Sequence, residues 1–298
     1  MNLGKRFFLF IAVNLLIVLT ITTVLNLFGV QPYLTSNGID LPALMLFCTI
    51  WGFGGAFISL ALSRMMAKWM MGVRLNSQDT RHSDERWVLE TVNRLASQSG
   101  LPQCPEVGIY ESPDPNAFAT GPTKSRALVA VSTGLLRTMN RTEIEGVLAH
   151  EVAHIANGDM VTMTLVQGVV NAFVMFFARI LAWFASQFVD EDKRSIVNFI
   201  AVLLFEIAFS ILGMILVAAF SRHREFRADA GAASLAGKDK MIAALKSLQN
   251  FSARQPDAPA GIATLQISSR PGGSLLALIS THPPLEVRIA RLQQTYRS

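Results

Sequence analysis

The sequence predicts a mainly helical α+β protein that crosses a membrane four times. Of its 298 residues, 51% are hydrophobic and only 16% are charged, a balance that soluble domains rarely show. The apolar residues are concentrated in blocks, and each block reaches the roughly 20 residues that a membrane-crossing helix needs. The stretches between and after these blocks have the composition of a soluble domain, which is predicted to contain a small sheet.

The first two apolar blocks predict a transmembrane hairpin within residues 1–63. No residue is charged from Phe7 to Ile39 or from Leu41 to Ser63. Lys5 and Arg6 precede the first block as they would in a secretory signal, but the apolar stretch is too long and no small-residue cleavage site closes it. The amino-terminal segment is therefore predicted to be a retained anchor.

The third and fourth blocks predict a second hairpin within residues 160–220. Met160–Val189 contains one charge, at Arg179, and Ser195–Phe220 contains one charge, at Glu206. Charge inside hydrocarbon is costly, so these blocks would also permit helices packed at the membrane surface. Two interpretations of the charges stay open. Either Arg179 snorkels or pairs with Glu206 across helices, or the charges serve transport or substrate passage.

Positive charge lies on one side of the predicted hairpins. Lysine and arginine residues flank the first hairpin, whereas its connecting loop, Pro32–Asp40, has none. The positive-inside rule then places both termini and the segment from Arg64 to Asn157 in the cytoplasm, and Pro32–Asp40 and Asp190–Arg194 outside. This topology and contact with lipid headgroups account for the net charge of +5, so no nucleic-acid partner is inferred. The two cysteines, Cys48 and Cys104, indicate neither a disulfide nor a thiolate metal site.

The first soluble part, residues 64–159, is predicted to hold two helices and a small sheet. A helix capped by Ser83 runs to about Ser99, and Gly100 ends it. Short strand-like runs follow, separated by proline and glycine turns. These runs are Val107–Glu111, Asn116–Thr120 and Ala127–Ser132.

The second soluble part, residues 221–298, is predicted to be largely helical. Its first helix continues the fourth apolar block and ends near Gly237, and a further helix covers Lys238–Asn250. A loop rich in proline, glycine and serine follows at Gln255–Ser274, and an amphipathic run begins after Pro284. If both soluble parts contribute to one site, the two halves must meet in space.

The sharpest motif is His150-Glu151-Val152-Ala153-His154, which falls within a helix predicted from Thr142 to Asn157. A capping box of Thr142 and Glu145 predicts the start of this helix, and the pair Asn157-Gly158 predicts its end. Residues four apart share one helix face, so both imidazoles can reach one metal ion while Glu151 stands beside the water that the ion activates. The pattern is short enough to occur by chance in an arbitrary protein, but its helical context and apolar flanks favour a metal site here.

A hydrolytic zinc site needs a third protein ligand and an open position for water. Glu225 is the best candidate, and Asp229, one helical turn later on the same face, can accept a hydrogen bond from a ligating histidine. The alternative is that Glu225 only pairs with Arg222 or Arg224 on a solvated face. The need of the histidine pair for a carboxylate favours the ligand.

Several features occur in a fixed order along nearly the whole chain. They are the paired amino-terminal spans, Asn116-Ala117-Phe118-Ala119, His150–His154, Glu225–Asp229 and His282-Pro283-Pro284. Together they resemble the HtpX membrane protease family, which is related to the type I CAAX prenyl proteases. The resemblance implies a zincin-type catalytic domain, one zinc ion per chain on His150, His154 and Glu225, general base and acid work by Glu151, and an edge strand at Asn116–Ala119 beside the substrate.

The resemblance also implies a cellular role that spacing alone does not give. It implies a zinc-dependent metalloendopeptidase of the bacterial cytoplasmic (inner) membrane, active in stress response and protein quality control, that degrades damaged or misassembled membrane proteins. An edge strand holds an extended peptide through main-chain hydrogen bonds, largely independent of its sequence, so broad cleavage of unfolded segments is expected.

Two residues near the carboxyl terminus are predicted to support the reaction. His282 is held rigidly by the two prolines after it and would stabilise charge on the tetrahedral intermediate. Arg288 would anchor a carboxylate ligand or its neighbour, and the family resemblance favours both roles. The alternative is that His282 caps the final helix and Arg288 binds lipid headgroups.

Two other functions are compatible with the sequence. A non-enzymatic transporter subunit or scaffold would use the histidine pair as a structural metal site, with no open coordination position. A processing protease for a lipid-modified or other specific substrate would share the hydrolytic chemistry. Four spans favour a smaller intramembrane chamber than such a processing enzyme would use.

Overall fold

The computed structural model describes residues 15–25, 27, 34–35, 38–76, 83–254 and 278–295. The predicted loop at Gln255–Ser274 lies outside the described residues, as does much of the first predicted span. In chain order the elements are α1 (Leu15–Leu25), β1 (Leu34–Thr35), β2 (Gly38–Ile39), α2 (Leu41–Met70), β3 (Arg74–Leu75), α3 (Ser83–Gln98), β4 (Glu106–Tyr110), β5 (Ala117–Thr120), a 3-10 turn (Lys124–Arg126), β6 (Leu128–Ser132), α4 (Thr133–Thr138), α5 (Arg141–Asn157), α6 (Asp159–Ser186), α7 (Glu191–Ala236), α8 (Lys238–Arg254) and α9 (Leu285–Thr295).

The described residues form two compact units. One unit comprises Met1–Ser59 and Met163–Val217, and the other comprises Leu60–Thr162 and Ala218–Ser298. Each unit is thus assembled from two separate stretches of the chain. The mainly helical architecture with a small sheet, predicted from the sequence, is confirmed.

Among the described residues, three helices are long and apolar enough to cross a membrane: α2, α6 and α7. They coincide with the second, third and fourth predicted spans, and α1 covers part of the first. Asp40 caps the amino-terminal end of α2, because its Oδ1 accepts the N–H of Ala43 at 3.0 Å. The structure therefore contains several apolar helices where the sequence predicted spans.

Small residues let two of the apolar helices approach closely. A Cβ atom at Gly52 of α2 would lie 2.7 Å from the backbone nitrogen of Ala172 and 2.8 Å from the carbonyl oxygen of Gly168, both on α6. Close backbone approach at small residues is a common way for membrane helices to pack. The charges of α6 and α7 pair, with Arg179 Nη1 2.6 Å from Glu206 Oε1, as one sequence interpretation expected.

The second unit contains a four-stranded sheet in the order β3-β4-β6-β5. Strands β4 and β6 are parallel, and the other pairs are antiparallel. The three predicted strands are present within one residue of their predicted bounds, whereas β3, with only two residues, was not predicted. Apolar side chains of the strands and of helices α3, α5 and α8 form one buried core, which includes Val92, Val129, Leu148 and Leu245.

Helix α5 begins one residue earlier than predicted, and with a different cap. Asn140 Oδ1 accepts the N–H of Glu143 at 3.0 Å, and Glu143 Oε2 accepts the N–H of Asn140 at 2.9 Å. The prediction of a capping box at Thr142 and Glu145 was therefore wrong, because Asn140 supplies a competing cap two positions earlier. The predicted end is confirmed, with Gly158 in the left-handed conformation at φ 71°.

Candidate active site

The two histidines of the predicted metal motif lie side by side on α5, and both are buried. Their Nε2 atoms are 3.1 Å apart. The opposite ring nitrogens face carboxylates: Nδ1 of His150 is 3.1 Å from Asp229 Oδ1, and Nδ1 of His154 is 2.6 Å from Asp159 Oδ2. A carboxylate on Nδ1 orients the ring and leaves Nε2 available as a ligand.

Glu225 of α7 completes the cluster and is fully buried. One carboxylate oxygen lies 3.4 Å from His150 Nε2, and the other lies 3.3 Å from His154 Nε2. One potential ligand atom from each of the three residues lies within 4.8 Å of the others. Glu225 therefore does not lie on a solvated face, as the alternative interpretation had it, although Arg224 Nη2 is 3.6 Å from Glu225 Oε1.

The donor set fits a metal ion. Two imidazole nitrogens and a carboxylate, all from buried residues, converge within this cluster. Glu225 Oε1 is buried and has no hydrogen-bond partner among the described residues. Buried, converging lone pairs are costly unless a cation satisfies them, and two nitrogens with one oxygen is a common catalytic metal set.

Two glycines let the helices of the site pack closely together. A Cβ atom at Gly231 of α7 would lie 2.9 Å from the Cβ of Ala153, so α7 packs closely on α5 beside the histidines. A Cβ atom at Gly146 would lie 2.5 Å from the carbonyl oxygen of Lys240, so α8 packs closely on the preceding turns of α5. A larger side chain at either glycine would displace one of these helices.

Hydrogen bonds control the charge of His150. Burial lowers its pKa, but hydrogen bonds to Asp229 and Glu225 outweigh burial and raise the pKa to about 9. Arg288 of α9 is also buried, and it donates from Nε and Nη2 to the two oxygens of Asp229 at 2.8 and 2.6 Å. This bidentate pair holds Asp229 against His150, and the guanidinium of Arg288 is buried.

His282 lies against the third carboxylate of the cluster. Its Nδ1 is 2.8 Å from Glu225 Oε2, and about a quarter of its side chain is exposed. His282 and Glu151 both line a cavity of about 310 Å³ together with the histidine pair. The predicted catalytic residues therefore share one cavity with the candidate metal ligands.

The predicted substrate strand borders the same cavity. Strand β5 begins at Ala117 and lies at an edge of the sheet, where it pairs with β6 on one side. Asn116 precedes the strand, and its backbone N–H donates to Ser132 Oγ at 2.9 Å. Asn116, Ala117, Phe118 and Ala119 all line the cavity.

Asp159 belongs to the site but was not predicted from the sequence. It is fully buried, contacts His154 Nδ1 at 2.6 Å and forms an ion pair with Arg227. The left-handed Gly158 turns the chain back, so that Asp159 returns to the ring of His154. The signal that would have identified Asp159 is its place in the sequence. It directly follows the helix end Asn157-Gly158 and lies five positions after His154.

Comparisons with known proteins agree with this geometry. The model of peptidase family M48 matches residues 82–296. A protease HtpX homolog of Bacillus licheniformis is 54% identical over 98% of this chain and 99% of its own length, and protease HtpX of Thioalkalivibrio sulfidiphilus is 50% identical over 98% of this chain and its full length.

A solved structure shares the fold. The crystal structure of S. mikatae Ste24p superposes with a TM-score of 0.63 at 18% sequence identity and covers 94% of this chain. The chain spans 62% of that structure. The predicted relationship to the HtpX proteases and the predicted enzymatic activity are both confirmed. The chain belongs to peptidase family M48 and is a membrane metalloprotease.

Proposed function

We propose that this protein is a zinc metalloendopeptidase of the bacterial inner membrane that cleaves unfolded, damaged or misassembled membrane proteins on the cytoplasmic side. One observation carries the proposal: the buried cluster of His150, His154 and Glu225 opens onto a cavity bordered by an edge strand. The relatives named protease HtpX support the proteolytic part of the proposal.

Zinc is the proposed metal, one per chain, because its preferred tetrahedral sites combine imidazole and carboxylate ligands. His150, His154 and Glu225 would hold it, while Asp159 and Asp229 orient the two rings. When bound, zinc would polarise a substrate carbonyl and lower the pKa of a water to about 7.

The side chains around the metal would perform the proton transfers. Glu151 lines the cavity beside the ligands, where it can take a proton from the attacking water and pass it to the departing amine. His282 lines the same cavity and would donate a hydrogen bond to the oxygen on which negative charge develops. Arg288 would act indirectly, through its bidentate pair with Asp229.

Strand β5 is the proposed peptide-binding element. Its pairing with β6 leaves the opposite edge of the strand with backbone donors and acceptors available to a substrate peptide. Recognition through the main chain depends little on side chains, provided that the substrate segment is extended. This favours unfolded segments over folded domains.

We propose four spans, with the soluble parts at 64–159 and 221–298 facing the cytoplasm. The charge distribution supports this topology, because the loop at Pro32–Asp40 lacks lysine and arginine while Arg64, Lys68 and Arg222 follow the spans. The hairpins at 1–63 and 160–220 would anchor the protease beside its membrane substrates.

Purified protein with zinc and an unfolded soluble protein provides the direct test. The parent chain is expected to produce fragments, whereas Glu151→Gln, which keeps the shape of the side chain but not its basicity, is expected to produce none. Chelation should silence the parent, and added zinc should restore it. Hydrolysis that persists in Glu151→Gln would show that this cavity is not where cleavage occurs.

A further inference from the structure

A polar cavity lies between α2, α6 and α7 in the unit that contains residues 163–217. Its volume is about 390 Å³. Its polar lining comprises Trp51, Asn171, Arg179, Glu206 and Ser210. This cavity shares no lining residue with the cavity beside His150 and His154. The proposed hydrolysis does not use it.

Two hydrogen-bond donors of this lining lack partners among the described residues. Arg179 donates from Nη1 to Glu206 Oε1 at 2.6 Å, and its guanidinium lies 5.4 Å from the ring centroid of Phe47. Arg179 Nε and Trp51 Nε1 are nevertheless buried without a hydrogen-bond partner in the described part of the chain. A hydrogen-bond donor without a partner costs several kcal/mol in hydrocarbon, as it does in a protein core. A ligand that accepts from these donors would remove that cost.

The depth of the cavity restricts what can satisfy these donors. Arg179 precedes the end of α6 at Ser186 by about 10 Å of helix, and Trp51 follows the start of α2 at Leu41 by about 15 Å. The hydrocarbon core of a bilayer is about 30 Å thick, so in the proposed topology, with α2, α6 and α7 as spans, the cavity lies within it. Lipid phosphates lie at the surface of this core and are too far away, whereas another membrane-spanning segment reaches this depth.

We propose that the cavity binds transmembrane segments of substrate proteins that carry a hydrogen-bond acceptor at mid-membrane depth. The acceptor would be an Asn, Gln, Asp or Glu side chain, or a carbonyl left open where a helix is broken. Assembled membrane proteins pair such groups internally, and unassembled ones leave them open. The cavity would therefore select unassembled substrates, an inference that rests on the proposed function.

Binding is measured with the inactive Glu151→Gln protein in nanodiscs of uncharged lipid. The ligands are two labelled transmembrane peptides of leucine and alanine that differ only in a central Leu or Asn. The Asn peptide is expected to bind about three- to thirtyfold more tightly, the range set by single hydrogen bonds in membranes. Trp51→Phe removes the unpaired indole N–H, and Arg179→Lys removes the unpaired guanidinium Nε–H. Each variant, made in the Glu151→Gln protein, should reduce this ratio toward one.

Trp183→Phe is the matched control, because Trp183 lies on α6 outside the cavity lining, and it should keep the full ratio. Equal affinity for both peptides, or an unchanged ratio in both Trp51→Phe and Arg179→Lys, would overturn the proposal. Binding that depends on anionic lipid and not on the central Asn would overturn it in favour of a lipid site. Hydrolysis of a soluble unfolded protein by the parent chain tests the proposed function separately.

Discussion

Each histidine of the candidate metal site contacts a different carboxylate through its Nδ1 atom. Asp229 faces His150 from α7, and Asp159 faces His154 from the start of α6. Because these contacts occupy Nδ1 of each ring, both Nε2 atoms are directed into the space shared with Glu225. The site is thus organised by a second layer of charged residues, in which the bidentate Arg288 neutralises Asp229.

Variants of Glu225 and Glu151 are expected to have different effects, one on metal binding and the other on proton transfer. Glu225→Ala should weaken zinc binding markedly, because the metal loses one of three protein ligands. Glu151→Gln should bind zinc like the parent chain and lose hydrolysis. Metal content after dialysis, measured by mass spectrometry, together with turnover of an unfolded substrate, distinguishes the two variants. Normal metal content in Glu225→Ala would show that another carboxylate is the ligand.

His282 is expected to act mainly on the transition state. His282→Ala should reduce turnover by roughly a hundredfold or more while zinc content and substrate binding change little. The alternative is that His282 only positions the ligand Glu225, because its Nδ1 contacts Glu225 Oε2. If the variant loses zinc, His282 serves to position the ligand, and its catalytic role is refuted. Unaltered turnover would remove it from the site altogether.

At the scale of elements, Glu145 ties three helices together. From α5 its carboxylate accepts hydrogen bonds from Arg94 of α3 and Lys240 of α8, both at 2.6 Å. Burial raises the pKa of Glu145, but the hydrogen bonds to Lys240 and Arg94 outweigh burial and lower it. The folded protein therefore favours the ionised carboxylate, and the helices around the site gain stability from it.

Glu145→Gln should lower the free energy of unfolding at pH 7 by about 1 kcal/mol, since partly exposed ion pairs contribute little individually. Because the folded pKa is depressed, this contribution is present above the pKa of the unfolded chain and is lost as the pH falls through the folded value. The parent and the variant should converge in acid, as measured by chemical unfolding in detergent. Glu111→Gln is the control, because its pair with Arg74 is mostly exposed. A difference that persists in acid would contradict this assignment.

The sequence predicted elements well where a local pattern determines them. The helix that carries the histidine motif and the edge strand at Ala117 follow from periodicity and turn residues, and both are present. The start of α5 was misplaced, because Asn140 and Thr142 both suit a cap and only the folded contacts decide between them. Strand β3 has two residues and depends on pairing with β4, so no local pattern reveals it.

Long-range contacts of the site were predictable only in part. Glu225 and Asp229 are one helical turn apart, so their shared face follows from spacing once a carboxylate ligand is required. Asp159 reaches His154 through the left-handed turn at Gly158, a conformation that spacing does not specify. The bidentate contact between Arg288 and Asp229 joins residues 59 positions apart. The need for a third ligand and the family resemblance indicated that the two halves meet, but the contact of Asp159 with His154 follows from neither.

At the scale of the whole molecule, composition alone identifies the membrane part. Helices α2, α6 and α7 each contain a long apolar segment, with Arg179 and Glu206 paired within theirs. The pairing reduces the cost of placing either charge in hydrocarbon, so these segments can span despite their charges. Met163–Val217, which holds most of α6 and part of α7, separates the two halves of the second unit along the sequence.

The proposed topology makes a direct prediction for intact cells. Single cysteines introduced at Ser36 and Ser195, in a chain without the natural cysteines, should react with a membrane-impermeant reagent from outside. In a separate chain that keeps Cys104 and lacks Cys48, the exposed Cys104 should react only after the membrane is permeabilised. The reason is the charge bias: arginine and lysine follow the second and fourth spans, and the loop at Pro32–Asp40 has none. Labelling of position 195 only from inside would show that α6 and α7 do not form a transmembrane hairpin, and labelling of Cys104 from outside would invert the whole topology.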